Sequence, residues 1–251
     1  MMSKGPEYQL GFYLNDPYLC QNNRTILKTM LKRVLCIGDS LGLPRPGVDY
    51  THTWVSMLRE QTRDRDFIAL FRRSGTTEML SEWEYGEYLY FYNPSEVILQ
   101  LGICDCAPRY MRTTSLGYRL LAKMPKGVQN VFWPIYKKFV KRSLNRTDVS
   151  IERFEHNLEN YLNQCCLAKV ERVIIIKVAT PGPTMVRANP LVERSVERYN
   201  AIYDLLPRRY PFVTVINPLC FGQDEYYAGD GYHPNEAGNR EVMQELQKLY
   251  A

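Results

Sequence analysis

No uninterrupted apolar stretch of about 18 residues occurs in this 251-residue chain, which argues against a membrane-spanning helix. The first residues, Met1-Met2-Ser3-Lys4-Gly5-Pro6-Glu7, lack the apolar core of a secretory signal. Cysteine is sparse and unpaired in pattern. Seven are present, an odd number without zinc-type spacing, and this fits a reducing compartment better than a disulfide framework. Histidine is rarer still, at His52, His156 and His233, so few side chains can change charge near neutral pH. Neither an internal repeat nor a low-complexity segment is found. These absences set the expectation of a cytoplasmic globular protein without a metal or other cofactor. The 45% hydrophobic and 24% charged content is ordinary for that class, and the length suffices for one domain with a full core.

One further absence is local. Between Ala107 and Thr147 there is no acidic residue against ten basic ones: Arg109, Arg112, Arg119, Lys123, Lys126, Lys137, Lys138, Lys141, Arg142 and Arg146. The rest of the chain holds 22 basic and 27 acidic residues, so the net charge of +5 belongs to one place. Aromatic and aliphatic residues interleave with these cations in Val131-Phe-Trp-Pro-Ile-Tyr136 and Phe139-Val140. A solvated face is the plain explanation of such a run. The mixture also suits an anionic ligand, peripheral contact with an acidic lipid surface, or a partner protein. Nucleic acid is not expected, because no recognised module accompanies the charge.

What is present is an alternation. Arg33–Ile37, Asp66–Phe71, Glu96–Leu101, Arg172–Val178 and Phe212–Ile216 are short apolar runs of buried-strand character. Longer segments with helical spacing lie among them, notably 149–167, 190–206 and 235–250, the last opened by Pro234 and carrying Ala237, Val242, Leu246 and Leu249 on one side. Strands alternating with helices predict a parallel sheet covered on both faces, with a crevice beyond the carboxyl ends of its strands. Residues 1–30 read as an arm, 31–251 as the domain. Residues 107–147 form a lid-like insertion, which Pro108, Pro125 and Pro134 should divide into short helices and loops.

Four blocks fall at strand ends or before the last helix: Gly38-Asp39-Ser40-Leu41, Gly75, Gly102-Ile103-Cys104-Asp105, and Asp230-Gly-Tyr-His233. In that order they resemble the GDSL, or SGNH, hydrolases from about Arg33 to the C-terminus. The resemblance implies a flavodoxin-like three-layer α/β/α fold with a mainly parallel five-stranded sheet. It also implies Ser40 as nucleophile, His233 as general base and Asp230 as the group that orients the imidazole. The family's oxyanion hole would take the backbone N–H groups of Ser40 and Gly75 and an asparagine side chain. Cys104 stands where that asparagine is expected. A thiol is a weak donor, and losing one oxyanion donor costs about 10²–10³ in turnover.

Arg109, Asn200 or His52 are candidates to replace the missing donor, and Asp39, Arg109, His52 and Asp105 are candidate substrate contacts. Each has a plainer reading. Ser40 could cap the segment after it, His52 and His156 could be solvated, and Asp105 could organise its loop by accepting backbone hydrogen bonds. Cys104 could itself be a thiol nucleophile, while Cys165 and Cys166 read as small core residues. The expected reaction is hydrolysis of a small acyl ester through an acyl-Ser40 intermediate, with an acylated carbohydrate as substrate, an anionic one matching the basic insertion. The Gly-Ile-Cys-Asp-Cys-Ala-Pro-Arg block is more loosely similar to SGNH proteins of bacterial surface-polysaccharide synthesis, which points to O-deacetylation. An acyltransferase using the same serine, and an impaired domain that binds an acidic glycan or partner protein, stay open as alternatives.

Overall fold

The computed structural model of the chain describes residues 31–81 and 85–250, so the expected arm at 1–30 lies outside the described residues. Five strands form one sheet: β1 (Lys32–Gly38), β2 (Arg65–Phe71), β3 (Glu96–Gln100), β4 (Arg172–Ile176) and β5 (Val213–Ile216). Their order is β2-β1-β3-β4-β5, and every pairing is parallel. The middles of β1, β3 and β4 are apolar because both faces are covered there, while charged residues such as Lys32, Arg65, Asp66 and Arg172 sit at the strand starts. Leu35, Ile37, Val97, Leu99, Val173 and Ile175 point into one core layer. Val34, Cys36, Ile98, Ile174 and Ile176 point into the other.

Eight helices flank the sheet among the described residues: α1 (Trp54–Gln61), the single turn α2 (Ile103–Cys106), α3 (Leu116–Ala122), α4 (Lys126–Phe139), α5 (Ile151–Leu167), α6 (Pro183–Ala188), α7 (Val192–Arg209) and α8 (Glu236–Gln247). α5 begins at Ser150, whose hydroxyl accepts from the Arg153 N–H. It buries Phe154, Leu158, Tyr161, Leu162 and Cys165 on one face. That face meets Val196, Tyr199 and Tyr203 of α7, where Phe154 packs edge-on against both tyrosines at 4.9 and 5.3 Å between ring centres. On the other side of the sheet, Trp54, Val55 and Leu58 of α1 pack with Val242, Met243 and Leu246 of α8. The three-layer α/β/α architecture follows from these two core layers.

Several expectations need correction. Cys166 is exposed and only Cys165 is core. Pro234 precedes α8 rather than opening it; Asn235 caps the helix by accepting from the Gly238 N–H, and Ala237 is exposed. Pro134 does not divide α4, and α7 runs to Arg209, three residues past the expected 206. At Pro134 the carbonyl four residues earlier, on Asn130, belongs to an exposed residue, where loss of one helical bond is tolerated. The insertion is nevertheless two helices, α3 and α4, with Pro125 at the start of the second.

The strand order reverses direction between β1 and β3, and this locates the crevice. The two strands stay paired to Gly38 and Gln100, where the Asp39 N–H still donates to Gln100 O at 3.2 Å. Beyond that point Ser40 turns one way and Gly102 the other. Gly102 has φ +118°, and a Cβ there would lie 2.6 Å from Val178 Cγ2, so the turn into α2 requires glycine on both counts.

Candidate active site

Ser40 opens a 3₁₀ turn, Ser40–Gly42, capped by Asp39, whose Oδ1 accepts from the Leu41 N–H at 2.8 Å. The first N–H of such a turn, here that of Ser40, has no partner within it. Ser40 Oγ lies 3.0 Å from His233 Nε2. His233 Nδ1 lies 2.6 Å from Asp230 Oδ2. The other carboxylate oxygen, Oδ1, accepts from the backbone N–H groups of Tyr232 and His233 at 3.1 and 3.0 Å. Gly231 makes this loop possible: it has φ +77°, and a Cβ would meet Met185 N at 2.6 Å.

The protonation states follow. Burial alone would raise the Asp230 pKa, but the hydrogen bonds from the His233 backbone, the imidazole and the Tyr232 backbone outweigh it and hold the carboxyl below its usual value. An ionised carboxylate only accepts, so Nδ1 carries the imidazole proton and Nε2 is left to accept from Ser40. His233 itself titrates below its ordinary range. Burial is the main cause, the Asp230 bond opposes it, and the positive charges of Arg45 and Arg73 add to the depression. At neutral pH the imidazole is therefore neutral.

Arg45, Arg73 and Tyr232 were not singled out in the sequence. The Arg45 guanidinium donates to the carbonyls of Ser40 and Leu43, fastening the serine turn from behind. Tyr232 lies against the His233 ring, 4.1 Å between centres, and its phenol is raised by burial first, then by the charge of Asp230. Only the position of Tyr232, between the aspartate and histidine of one motif, could have drawn notice. Nothing in the residue types around Arg45 or Arg73 did.

The neighbouring blocks are fastened to one another. Asp105 accepts from the Thr77 N–H at 2.8 Å and its hydroxyl at 2.5 Å, and Asn157 donates to that hydroxyl at 3.2 Å. This ties the loop holding Gly75 to the turn holding Cys104. Ser195 Oγ donates to Cys106 O at 2.7 Å and secures the same turn to α7. Asp39 and Asp105 are both fully buried, so neither can touch a substrate as expected; they shape loops from behind. Burial pushes each carboxyl up to about 7, and in each Oδ2 has no hydrogen-bond partner.

The expected oxyanion donors fare unequally. Gly75 lies against the serine loop, where an added Cβ would be 3.4 Å from Asp39 Cα, but its N–H donates to Arg72 O at 3.0 Å. Cys104 is partly exposed, and burial, then the charge of Asp39, raises its thiol far above the ordinary value. That direction disfavours the thiolate form a cysteine nucleophile needs. Asn200 is no substitute, since its amide accepts from Val178 N and donates to Val178 O at 3.0 and 2.8 Å. His52 is half exposed and faces Glu236 at 3.6 Å. Arg109 reaches the rim with a third of its side chain exposed, paired at 3.1 Å with buried Asp148, and its charge is felt at both Cys104 and Tyr232. A cavity of about 410 Å³ opens within the insertion, walled by Tyr110, Arg112, Tyr136 and Arg146; none of Ser40, Asp230 and His233 lines it.

Among the described residues no group of three or more His, Cys, Asp or Glu side chains could hold a metal ion. The geometry can nevertheless move a proton from a serine hydroxyl to an oriented imidazole, which is the requirement for nucleophilic acyl transfer.

No family model matches the sequence, and no curated protein matches it. Solved structures do. The chain superposes on the acetyl xylan esterase AlAXEase with a TM-score of 0.59 at 15% identity, covering 87% of this chain and 100% of that one. An acetyl-xylooligosaccharide esterase from Geobacillus gives 0.57 at 16% identity over 86% and 93% of the two chains. A GDSL-like lipase from Bacteroides thetaiotaomicron gives 0.53 at 15% identity over 88% and 90%. The all-parallel five-stranded sheet between two helical layers agrees with this likeness: the chain has the fold of the GDSL, or SGNH, hydrolases.

Proposed function

We propose that the protein is a serine ester hydrolase that removes small acyl groups, first among them acetyl groups on a carbohydrate, through an acyl-Ser40 intermediate. The observation that carries this reading is the hydrogen-bonded line Ser40 Oγ–His233 Nε2 at 3.0 Å and His233 Nδ1–Asp230 Oδ2 at 2.6 Å. Ser40 Oγ attacks the ester carbonyl carbon while its proton passes to Nε2. The tetrahedral adduct collapses, the alcohol leaves with the proton from Nε2, and the acyl group stays on Oγ. Water then repeats the sequence, releasing the carboxylic acid and restoring the serine. A sugar hydroxyl in place of water would make the same site an acyltransferase. The carbohydrate preference rests on the fold likeness to two acetyl-sugar esterases.

A second reading draws on Gly75 and Cys104. One expected oxyanion donor is engaged in a turn and another is a thiol, so the domain could bind an acidic glycan or partner protein with little turnover. Labelling with a fluorophosphonate probe, followed by turnover of p-nitrophenyl acetate, separates the two. Labelling that vanishes in Ser40→Ala supports the hydrolase. A folded wild-type chain that neither labels nor turns over supports the binder.

A further inference from the structure

The face of the insertion turned away from the domain is apolar where a soluble surface should not be. In α4 no residue is buried, and Val128, Val131, Ile135 and Phe139 recur at helical spacing along one side. Val131, Ile135 and Phe139 are 64, 55 and 77% exposed. Leu116 and Leu120 of α3 and Met124 of the turn between the helices are exposed as well. The stripe is not an unpacked core face, because α4 already packs through another side. There Trp133 meets Tyr118 of α3 at 6.0 Å between ring centres, and the Tyr136 hydroxyl donates to Tyr110 O at 3.4 Å.

Cations border the stripe. Arg119, Lys123, Lys126, Lys137, Lys138 and Lys141 flank it in sequence, and no acidic side chain occurs from Ala107 to Thr147. The arginines nearer the root are engaged in structure: Arg142 lies 4.4 Å from the centre of the Tyr110 ring and donates to Pro108 O at 2.8 Å. Lys123, Lys126 and Lys138 are exposed. We infer that α3 and α4 form a docking surface for an anionic lipid bilayer, with the stripe among the acyl chains at the headgroup boundary and the lysines on acidic headgroups.

The pattern favours this occupant over others. Nucleic acid would match the charge and leave Val131, Ile135 and Phe139 in water. A second copy would cover the apolar stripe, but an isologous contact would face one all-basic insertion with another. A bilayer supplies hydrocarbon and negative charge in one layer. The inference is independent of the chemistry at Ser40.

Sedimentation of the full chain with vesicles of phosphatidylcholine alone, and of phosphatidylcholine mixed with phosphatidylglycerol, tests it. Association with the mixed vesicles only is expected. The double variant Val131→Asp, Ile135→Asp should abolish it. Lys123→Ser, Lys126→Ser, Lys138→Ser together should weaken partitioning roughly a hundredfold, at about fivefold per lysine near an acidic surface, as should high salt. All five side chains are exposed, so both variants keep the fold, which the thermal melt verifies. A wild-type chain that stays in solution with mixed vesicles overturns the inference. So does equal binding by the variants, or a dimer that the aspartates dissociate without any vesicle binding.

Discussion

The rim of the sheet and the basic insertion are built on opposite terms. At the rim the polar groups are answered within the chain: Ser40 by His233, His233 by Asp230, Asp105 by Thr77, Asn200 by Val178 and Ser195 by Cys106 O. In the insertion the root is fastened, by Arg109 on Asp148 and Arg142 on Pro108 O among other contacts, while Lys123, Lys126, Lys138 and the stripe are exposed. Groups answered internally can be held to tenths of an ångström, as proton transfer demands. Groups left unanswered keep their free energy for something outside the chain. The contrast separates a place where chemistry can occur from a place where the protein can be held.

The sharpest way to break this comparison is at Asp230. Asp230→Asn preserves the shape of the loop but presents His233 Nδ1 with an amide, so the imidazole loses both its tautomer and its charge partner. A fall of about 10⁴ in kcat for p-nitrophenyl acetate is expected. Lys138→Ser, in the insertion, should leave that turnover of a small soluble ester unchanged. A loss below tenfold at Asp230 would mean that the line of hydrogen bonds is architecture only.

The same contrast explains what the sequence disclosed. The five strands are legible to within two residues because the central ones, covered on both faces, need continuous apolar middles, and the outer ones keep apolar runs bounded by polar residues. Ser40, Asp230 and His233 are legible because the roles they resemble demand those side chains and short spacings within each block. Arg45, Arg73 and Tyr232 are not, since only the folded crossing of three loops brings their charge and rings to the imidazole. Asp39 and Asp105 read as contacts because they flank motif residues, yet the close packing of those loops buries them. Pro134 reads as a break because exposure of the Asn130 carbonyl cannot be seen along a chain.

A smaller effect probes how the rim sets the imidazole. His233 is depressed below its ordinary 6.5, so the base stays neutral to lower pH and the acid limb of kcat/KM should have its midpoint below 6.5. Arg73 is exposed and contributes to the depression through its charge. Arg73→Ser should therefore move that midpoint upward by a few tenths of a pH unit, with the plateau rate little changed. The pH profile of the two proteins decides this; a midpoint at or above 6.5 in the wild type, or a downward move in the variant, contradicts it. Lys123→Ser should leave the profile where it is.

The smallest effect is on stability and tests whether burial of Asp105 carries a cost. Its carboxyl is raised in the folded chain to about 7, against 3.8 for an unperturbed aspartate. The folded state thus binds the proton more tightly than the unfolded state. The stabilisation is complete below about pH 4 and fades as pH rises through 7. Asp39 behaves alike, so the melting temperature of the wild type should fall between those limits. Asp105→Asn keeps an oxygen for the Thr77 N–H and hydroxyl and removes the charge. Loss of the charge should therefore favour the variant at pH 8, by about 2–4 °C per kcal/mol regained, and confer nothing at pH 4, where the wild-type carboxyl is already protonated. Asparagine also places an amide N–H₂ where Oδ2 now has no partner, a penalty of about 1–3 kcal/mol that opposes the gain at every pH. The pH dependence is therefore the discriminating quantity: the slope between pH 4 and 8 must flatten in the variant even if the absolute melting temperature hardly moves. An unchanged slope would show that Asp105 is not the group whose ionisation strains the rim.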